Sequence, residues 1–199
     1  MNVAFNEDCL EAMKKMEDNA FDLAVVDPPY GISITKSGRL SKYNSDSEWD
    51  NAPPSSEYFD ELFRVSKNQI IWGGNYFNLP PTRCFLIWDK GQPEDVSFAS
   101  CEFAWTSFDA SAKTFYYSAA KKDGVRIHPS QKPVALYTWI YNRYANQGDK
   151  ILDTHLGSGS SRIAAYDAGL DFVGYEIDKD FFERQEERFN NHTAQISLF

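Results

Sequence analysis

Cysteine and histidine are scarce in this chain, and neither is clustered. Cys9, Cys84 and Cys101 are an odd number with no CxxC spacing, which argues against a disulfide framework and a cysteine zinc site. His128, His155 and His192 are equally scattered, so no metal centre is expected. No stretch approaches the ~20 consecutive apolar residues of a membrane span. Met1 to Asp8 lack the basic and apolar regions of a secretory signal. The expectation is a reduced, cytoplasmic protein without metal or membrane segment. Positive charge is also short, with 20 Lys and Arg against 29 Asp and Glu and a net charge of −9. That balance argues against a general nucleic-acid binder, because phosphate contacts need cations. The cations are unevenly placed, however. Lys36, Arg39 and Lys42 share a segment without acids, and Lys113, Lys121, Lys122, Arg126 and Lys132 form a second basic stretch. One basic face on an acidic body and a scatter of solvated loop charges both fit that pattern.

The 199 residues are enough for one domain with a continuous core. Val3-Ala4-Phe5 reads as a strand, and Asp8-Cys9-Leu10-Glu11 has capping-box spacing ahead of a helix to about Glu17. Phe21 to Val26 is an apolar run of strand length. Ser33 to Ser56 lacks periodicity and reads as a loop, followed by a helix over Tyr58 to Phe63. Further strands are expected at Ile70 to Trp72, Cys84 to Trp88 and Glu102 to Trp105. A loop follows from Ser107 to Ile127, within which Phe115-Tyr116-Tyr117 reads as an edge strand or as a base-stacking platform beside Lys121 and Lys122. Pro133 opens a helix to about Tyr144 as its first-turn residue. The remainder reads as strand, glycine turn, helix, strand and closing helix from Asp178. Such alternation predicts a mostly parallel, doubly wound α/β sheet, with ligand crevices at the carboxyl ends of its strands.

Two segments carry chemistry. Asp27-Pro28-Pro29-Tyr30 follows the strand ending at Val26 and stops it, since neither proline can donate to a sheet ladder. The rigid turn presents a carboxylate, a carbonyl and an aromatic ring. That set suits a planar base with an exocyclic amine: two acceptors for its N–H groups and a ring for its face. A plain Pro-Pro turn with a chance acid is the other reading. The second segment is Ile151-Leu152-Asp153-Thr154-His155-Leu156-Gly157-Ser158-Gly159-Ser160, a strand, a glycine turn and a helix start. Glycines admit a ligand close to the backbone, and a helix amino terminus favours an anion. Glu176, after the next strand, stands where an acid accepts hydrogen bonds from a ribose diol. Ordinary helix–strand packing accounts equally for a lone GxG. Gly73-Gly74-Asn75 and Trp88-Asp89-Lys90 end strands on the expected rim, as pocket lining or as turn and core.

Together these segments resemble the β-class, circularly permuted DNA amino-methyltransferases that use S-adenosylmethionine, in which the catalytic DPPY half precedes the cofactor half. Asn6 to Leu10, Asp27 to Tyr30, His128 to Pro133, Asp153 to Ser160 and Tyr175 to Asp178 carry the resemblance, over nearly the whole chain. It implies a Rossmann-like methyltransferase sheet in one domain: a catalytic half of about 1–106, a short recognition segment of about 107–127 and a cofactor half of about 128–199. It assigns Asp27, Pro28, Pro29 and Tyr30 to catalysis. Asp8, with Cys9 beside it, would meet the cofactor's adenine, and Glu176 its ribose. Gly157, Ser158 and Gly159 would line the methionine portion beside Asp153, with His155 and Ser160 in the same turn, Asp27 across from it, and Lys132 at the cofactor's carboxylate end. Asp8 also reads as a helix cap. Thr154-His155 stands where the family usually has Pro-Phe, Ser160 where Thr is common, and Glu7 where Gly is usual.

The implied reaction is methylation of adenine N6 in double-stranded DNA, as in restriction–modification enzymes, with cytosine N4 as the near alternative. An RNA or protein amine and a silent binding relative are the remaining alternatives. Lys36, Arg39, Lys42, Lys121 and Lys122 would contact DNA. The short recognition segment implies relaxed specificity, or a second subunit as homodimer or specificity partner.

Overall fold

The computed structural model of the chain describes residues 1–31, 52–93, 99–118 and 125–196. Lys36, Arg39, Lys42, Lys121 and Lys122, the cations assigned to DNA, lie outside the described residues. In chain order the elements are β1 (Asn2–Phe5), α1 (Cys9–Met13), β2 (Phe21–Val26), α2 (Ser56–Val65), β3 (Ser66–Trp72), β4 (Phe85–Asp89) and β5 (Cys101–Thr106). They continue with β6 (Lys113–Tyr116), α3 (Val134–Tyr144), β7 (Lys150–Asp153), α4 (Ser160–Asp167), β8 (Asp171–Tyr175) and α5 (Lys179–Ile196). The strands form one sheet in the order β1-β8-β7-β2-β3-β5-β4-β6. All described neighbours are parallel except β5, which runs antiparallel to both β3 and β4.

The apolar strands are continuous rather than alternating because both sheet faces are covered. In β2, Leu23 and Val25 point into a core shared with Leu136, Ile140 and Tyr141 of α3 and Ala164 of α4. Ala24 and Val26 point the other way, against Met13 of α1 and Tyr58, Leu62 and Val65 of α2. The same parity divides Ile151 from Leu152 and Phe172 from Val173. Helix α2 buries Tyr58, Leu62 and Val65, spaced to share one helical face, and Ser55 caps its start. No helix among the described residues is long and apolar enough to cross a membrane.

Several boundaries differ from the expectation for physical reasons. Helix α1 ends at Met13 instead of near Glu17. Arg64 of α2 donates to the carbonyls of Met13 and Met16, each at 2.8 Å, and so holds the following chain in turns. Pro133 is the cap before α3, with ψ of 144°, and Val134 is the first helical residue. The stretch after Ser107 is not all loop, since β6 runs parallel to β4 at the end of the sheet order. This is the edge-strand reading of the aromatic run.

The order of the sheet reverses between β2 and β7. From β2 the chain continues to β3 on one side, and from β7 to β8 on the other. These two strands are parallel neighbours, with Leu23 opposite Ile151 and Ala24 opposite Leu152. Their carboxyl ends therefore open on the same edge, where ligands bind in doubly wound sheets. Leu152 is fully buried at this junction. Leu152→Ala should lower unfolding stability by about 2–5 kcal/mol, seen as a lower urea midpoint with an unchanged slope.

Candidate active site

The acid turn leaves β2 at Val26. Asp27 accepts a hydrogen bond from the Tyr30 hydroxyl on Oδ1 (2.7 Å) and an ion pair from Lys132 Nζ on Oδ2 (2.5 Å). Lys132 Nζ also reaches Glu102 Oε2 at 3.1 Å, and Glu102 Oε1 is paired with Lys90 at 2.7 Å. The Lys132 side chain is only 3% exposed. Burial raises the pKa of Asp27, and Lys132 opposes that rise. Burial works against the charge of Lys132 too, but Asp27 and Glu102 outweigh it and raise the pKa. For Glu102 burial is again outweighed, by Lys132 and Lys90, and its pKa falls to about 2. The result is a partly buried chain of alternating charges, Lys90–Glu102–Lys132–Asp27, with Lys132 the most enclosed.

Tyr30 is fixed by its neighbours. Its ring stacks on Tyr76, with centroids 4.8 Å apart and planes at 12°, and meets Phe77 edge-on. Gly73 makes this packing available. It follows β3 with φ of 68°, in the left-handed region, and a Cβ there would overlap the Tyr30 ring.

The glycine turn leaves β7 at Asp153. Glu176 accepts the Gly157 N–H on Oε2 (2.8 Å) and the Asp178 N–H on Oε1 (2.9 Å), tying the turn to the end of β8. Asp153 accepts the His155 N–H at 3.1 Å and the Ser161 hydroxyl. Burial raises the pKa of both carboxyl groups to about 7. His155 stands edge-on to Tyr58, and Thr154 Oγ1 is within hydrogen-bond distance of both (2.7 Å to Tyr58 and 2.9 Å to His155 Nδ1). Across the turn, His128 packs against Phe181 with centroids 4.3 Å apart. Burial lowers the pKa of His128 to about 3 and of His155 to about 4, so both rings are neutral at neutral pH.

The two turns line one crevice of about 240 Å³. Asp27, Pro29 and Lys132 form its acid-turn side, and His155, Gly157, Ser158 and Glu176 its glycine-turn side. A Cβ added to Gly157 would lie 3.5 Å from the His128 ring, so the missing side chain leaves space between turn and ring. Glu176 keeps lone pairs beyond its two backbone bonds. Backbone close to open space and a dry acceptor carboxylate suit a nucleoside-type cofactor.

Residues 71–187 match the DNA methylase family N6_N4_Mtase. The chain belongs to this family. The Type II methyltransferase M2.MboI of Moraxella bovis is 23% identical over 242 residues, covering 96% of this chain and 89% of that protein. Among solved structures, the M1.HpyAVI–SAM complex superposes with a TM-score of 0.65 at 18% identity, covering 96% of this chain and all of the other. The cytosine-N4-specific PvuII DNA methyltransferase superposes at 0.61 with 12% identity, over 98% and 93%. At these identities the structural likeness is one of fold.

Within this methylase, seven of the residues singled out from the sequence line the crevice: Asp27, Pro29, Lys132, His155, Gly157, Ser158 and Glu176. Others are not among its lining residues. Asp8 caps α1, its Oδ1 accepting the Leu10 and Glu11 N–H groups at 2.8 and 3.3 Å. Cys9 follows with a thiol whose pKa burial raises to about 12. Ser160 Oγ accepts a bond from Arg188 (2.9 Å), which also holds the Ser158 carbonyl (2.8 Å). Pro28, Tyr30, Asp153 and Gly159 are likewise absent from the crevice lining. Sequence reasoning missed Glu102, Lys90 as its partner, and Tyr76. An acid inside the apolar run Cys101-Glu102-Phe103-Ala104-Trp105 was the available signal for the first.

The raised carboxyl pKa values give the methylase a signed pH dependence. Folding lifts Glu176 from its ordinary 4.5 to about 7, so between these values the native state binds more protons than the unfolded chain. Its contribution to stability therefore falls as pH rises through that window, and the burial cost is complete above it. Glu176→Gln should flatten the stability curve between about pH 5 and pH 7 relative to wild type, measured by urea unfolding at a series of pH values.

Proposed function

We propose that this DNA methylase transfers a methyl group from S-adenosylmethionine to the N6 amine of adenine. One observation carries the reading: an acid turn and a glycine turn leave neighbouring parallel strands and line the same crevice. S-adenosylmethionine supplies a methyl group on a positively charged sulfonium. Glu176 would hold its ribose diol, the backbone of Gly157 and Ser158 would run along its methionine portion, and Asp8 would complete the adenine end through the free oxygen of its carboxylate.

An exocyclic base amine is a weak nucleophile because its lone pair is delocalised into the ring. Asp27 and the Pro28 carbonyl accept its two N–H bonds, which draws the nitrogen toward tetrahedral geometry and frees the lone pair. The nitrogen lone pair would form the bond to the methyl carbon as the carbon–sulfur bond breaks, its electron pair staying on sulfur. The Asp27 carboxylate stabilises the positive charge that nitrogen gains, and the nitrogen then gives up one N–H proton to that carboxylate. The amine is inaccessible inside a duplex, so the base is turned out of the stack, and its face would meet the Tyr30 ring by displacing the exposed Tyr76 ring stacked there. Adenine is favoured over cytosine because the turn begins with Asp, where many cytosine enzymes of this resemblance carry Ser. Cytosine N4 is the second reading, favoured by the likeness in fold to the PvuII cytosine-N4 enzyme.

Asp27→Ala should lower methyl transfer by roughly 10²–10³-fold while leaving S-adenosylmethionine binding within about twofold. Labelled methyl transfer and calorimetric titration measure the two separately. Loss of cofactor binding together with transfer would remove Asp27 from the amine's side of the reaction. Nucleoside mass spectrometry of the treated DNA should find N6-methyladenine, and N4-methylcytosine in its place would reverse the choice of base.

A further inference from the structure

Asp27 is already engaged in the folded protein. Oδ1 accepts from Tyr30, and Oδ2 carries the Lys132 ammonium. An amine that must donate to this carboxylate and then gain positive charge meets a competing cation. Lys132 cannot retreat into water, since its side chain is 3% exposed and lies between the Trp72 ring (5.3 Å to the centroid) and the Tyr30 ring (5.9 Å). A buried cation without an anion is strongly disfavoured. The second anion paired with it is Glu102 at 3.1 Å, which is anchored from its far side by Lys90 at 2.7 Å.

The fold builds this seat deliberately close to the crevice. β5 runs antiparallel to its neighbours, so its beginning, not its end, lies at the carboxyl edge of the parallel strands. Glu102 is the second residue of β5 and faces Trp88 of β4, and Lys90 follows that strand directly. Lys90 also lies over the Trp88 ring, 5.2 Å from its centroid.

We propose that Glu102 is a positioning residue of the transfer, the seat on which Lys132 rests when it releases Asp27 to the target amine. The proposal rests on the reading of Asp27 as the amine's acceptor and adds how that carboxylate becomes available. A small displacement of Nζ moves the cation's main partner from Asp27 to Glu102 without exposing it or leaving it unpaired. The groups that act electrostatically on or with Asp27 are Lys132 and Glu102 in this chain of charges, Tyr30 in the turn, Tyr58 from α2, Tyr137 from α3 and Asp153 from β7. Of these Lys132 is the one cation, so its position sets the balance.

Glu102→Gln keeps the shape of the seat and removes its charge, leaving Lys132 on Asp27. We expect kcat on unmethylated DNA to fall about tenfold or more, with the Kd for S-adenosylmethionine within about twofold of wild type. The acid limb of kcat against pH should move about one unit lower, because Asp27 loses a negative neighbour and keeps the whole of Lys132. Glu102→Asp should restore part of the rate. Carboxyl NMR titration of Asp27 in the ligand-free protein should show the same downward movement in the Gln variant. An unchanged Asp27 titration, or a rate loss with the pH profile unmoved and no rescue by Asp, would overturn the proposal. Absence of transfer to DNA by the wild-type protein would defeat the reading of Asp27 instead, and the NMR titration would still decide whether Glu102 shares Lys132.

Discussion

The parallel pairing of β2 with β7 is the constraint on which the rest depends. Leu23 opposite Ile151 and Ala24 opposite Leu152 fix the register of two strands from distant parts of the chain. Because the pairing is parallel, both strands end on one side of the sheet, and their turns come out facing a shared space. A second tie reinforces the register from the opposite end. The Lys150 N–H donates to the Asp22 carboxylate at 2.9 Å, across 128 positions of sequence.

Around that space the protein uses dryness in two different ways. On the glycine side, burial outweighs the hydrogen bonds donated to Asp153 and Glu176, so their pKa values rise. On the acid side, burial is answered by full charges, and the carboxyl groups there are held in pairs with Lys132 and Lys90. One wall thus carries carboxyl groups of raised pKa, and the other a set of paired charges. Neutral His128 and His155 add ring surface without adding charge.

Much of this was legible from local sequence, for local reasons. Apolar runs ended by Pro-Pro or by glycines mark strand ends whatever the surrounding fold, and the acid turn and glycine turn were found in that way. The aromatic run at Phe115 read as an edge strand or a base-stacking platform, and its pairing with β4 matches the first. What escaped were contacts closed over long distances. Asp27 and Lys132 stand 105 positions apart, so no spacing rule connects them. The early end of α1 depends on Arg64, which captures the Met13 carbonyl from 51 positions away. The reversed direction of β5 has no signature in its own residues, and with it went the chance of reading Glu102 as part of the site.

The position of β2 in the sheet has a consequence for how the protein is made. Its nearer partner in the chain, β3, is complete by Trp72, whereas its other partner begins only at Lys150. While a ribosome delivers the residues between them, one side of a strongly apolar strand has no mate and is open to pairing with other chains. Yield in the cell should therefore be governed by how quickly the carboxyl-terminal strands arrive, and chaperones that shield bare strand edges would act on this protein during synthesis, not after it.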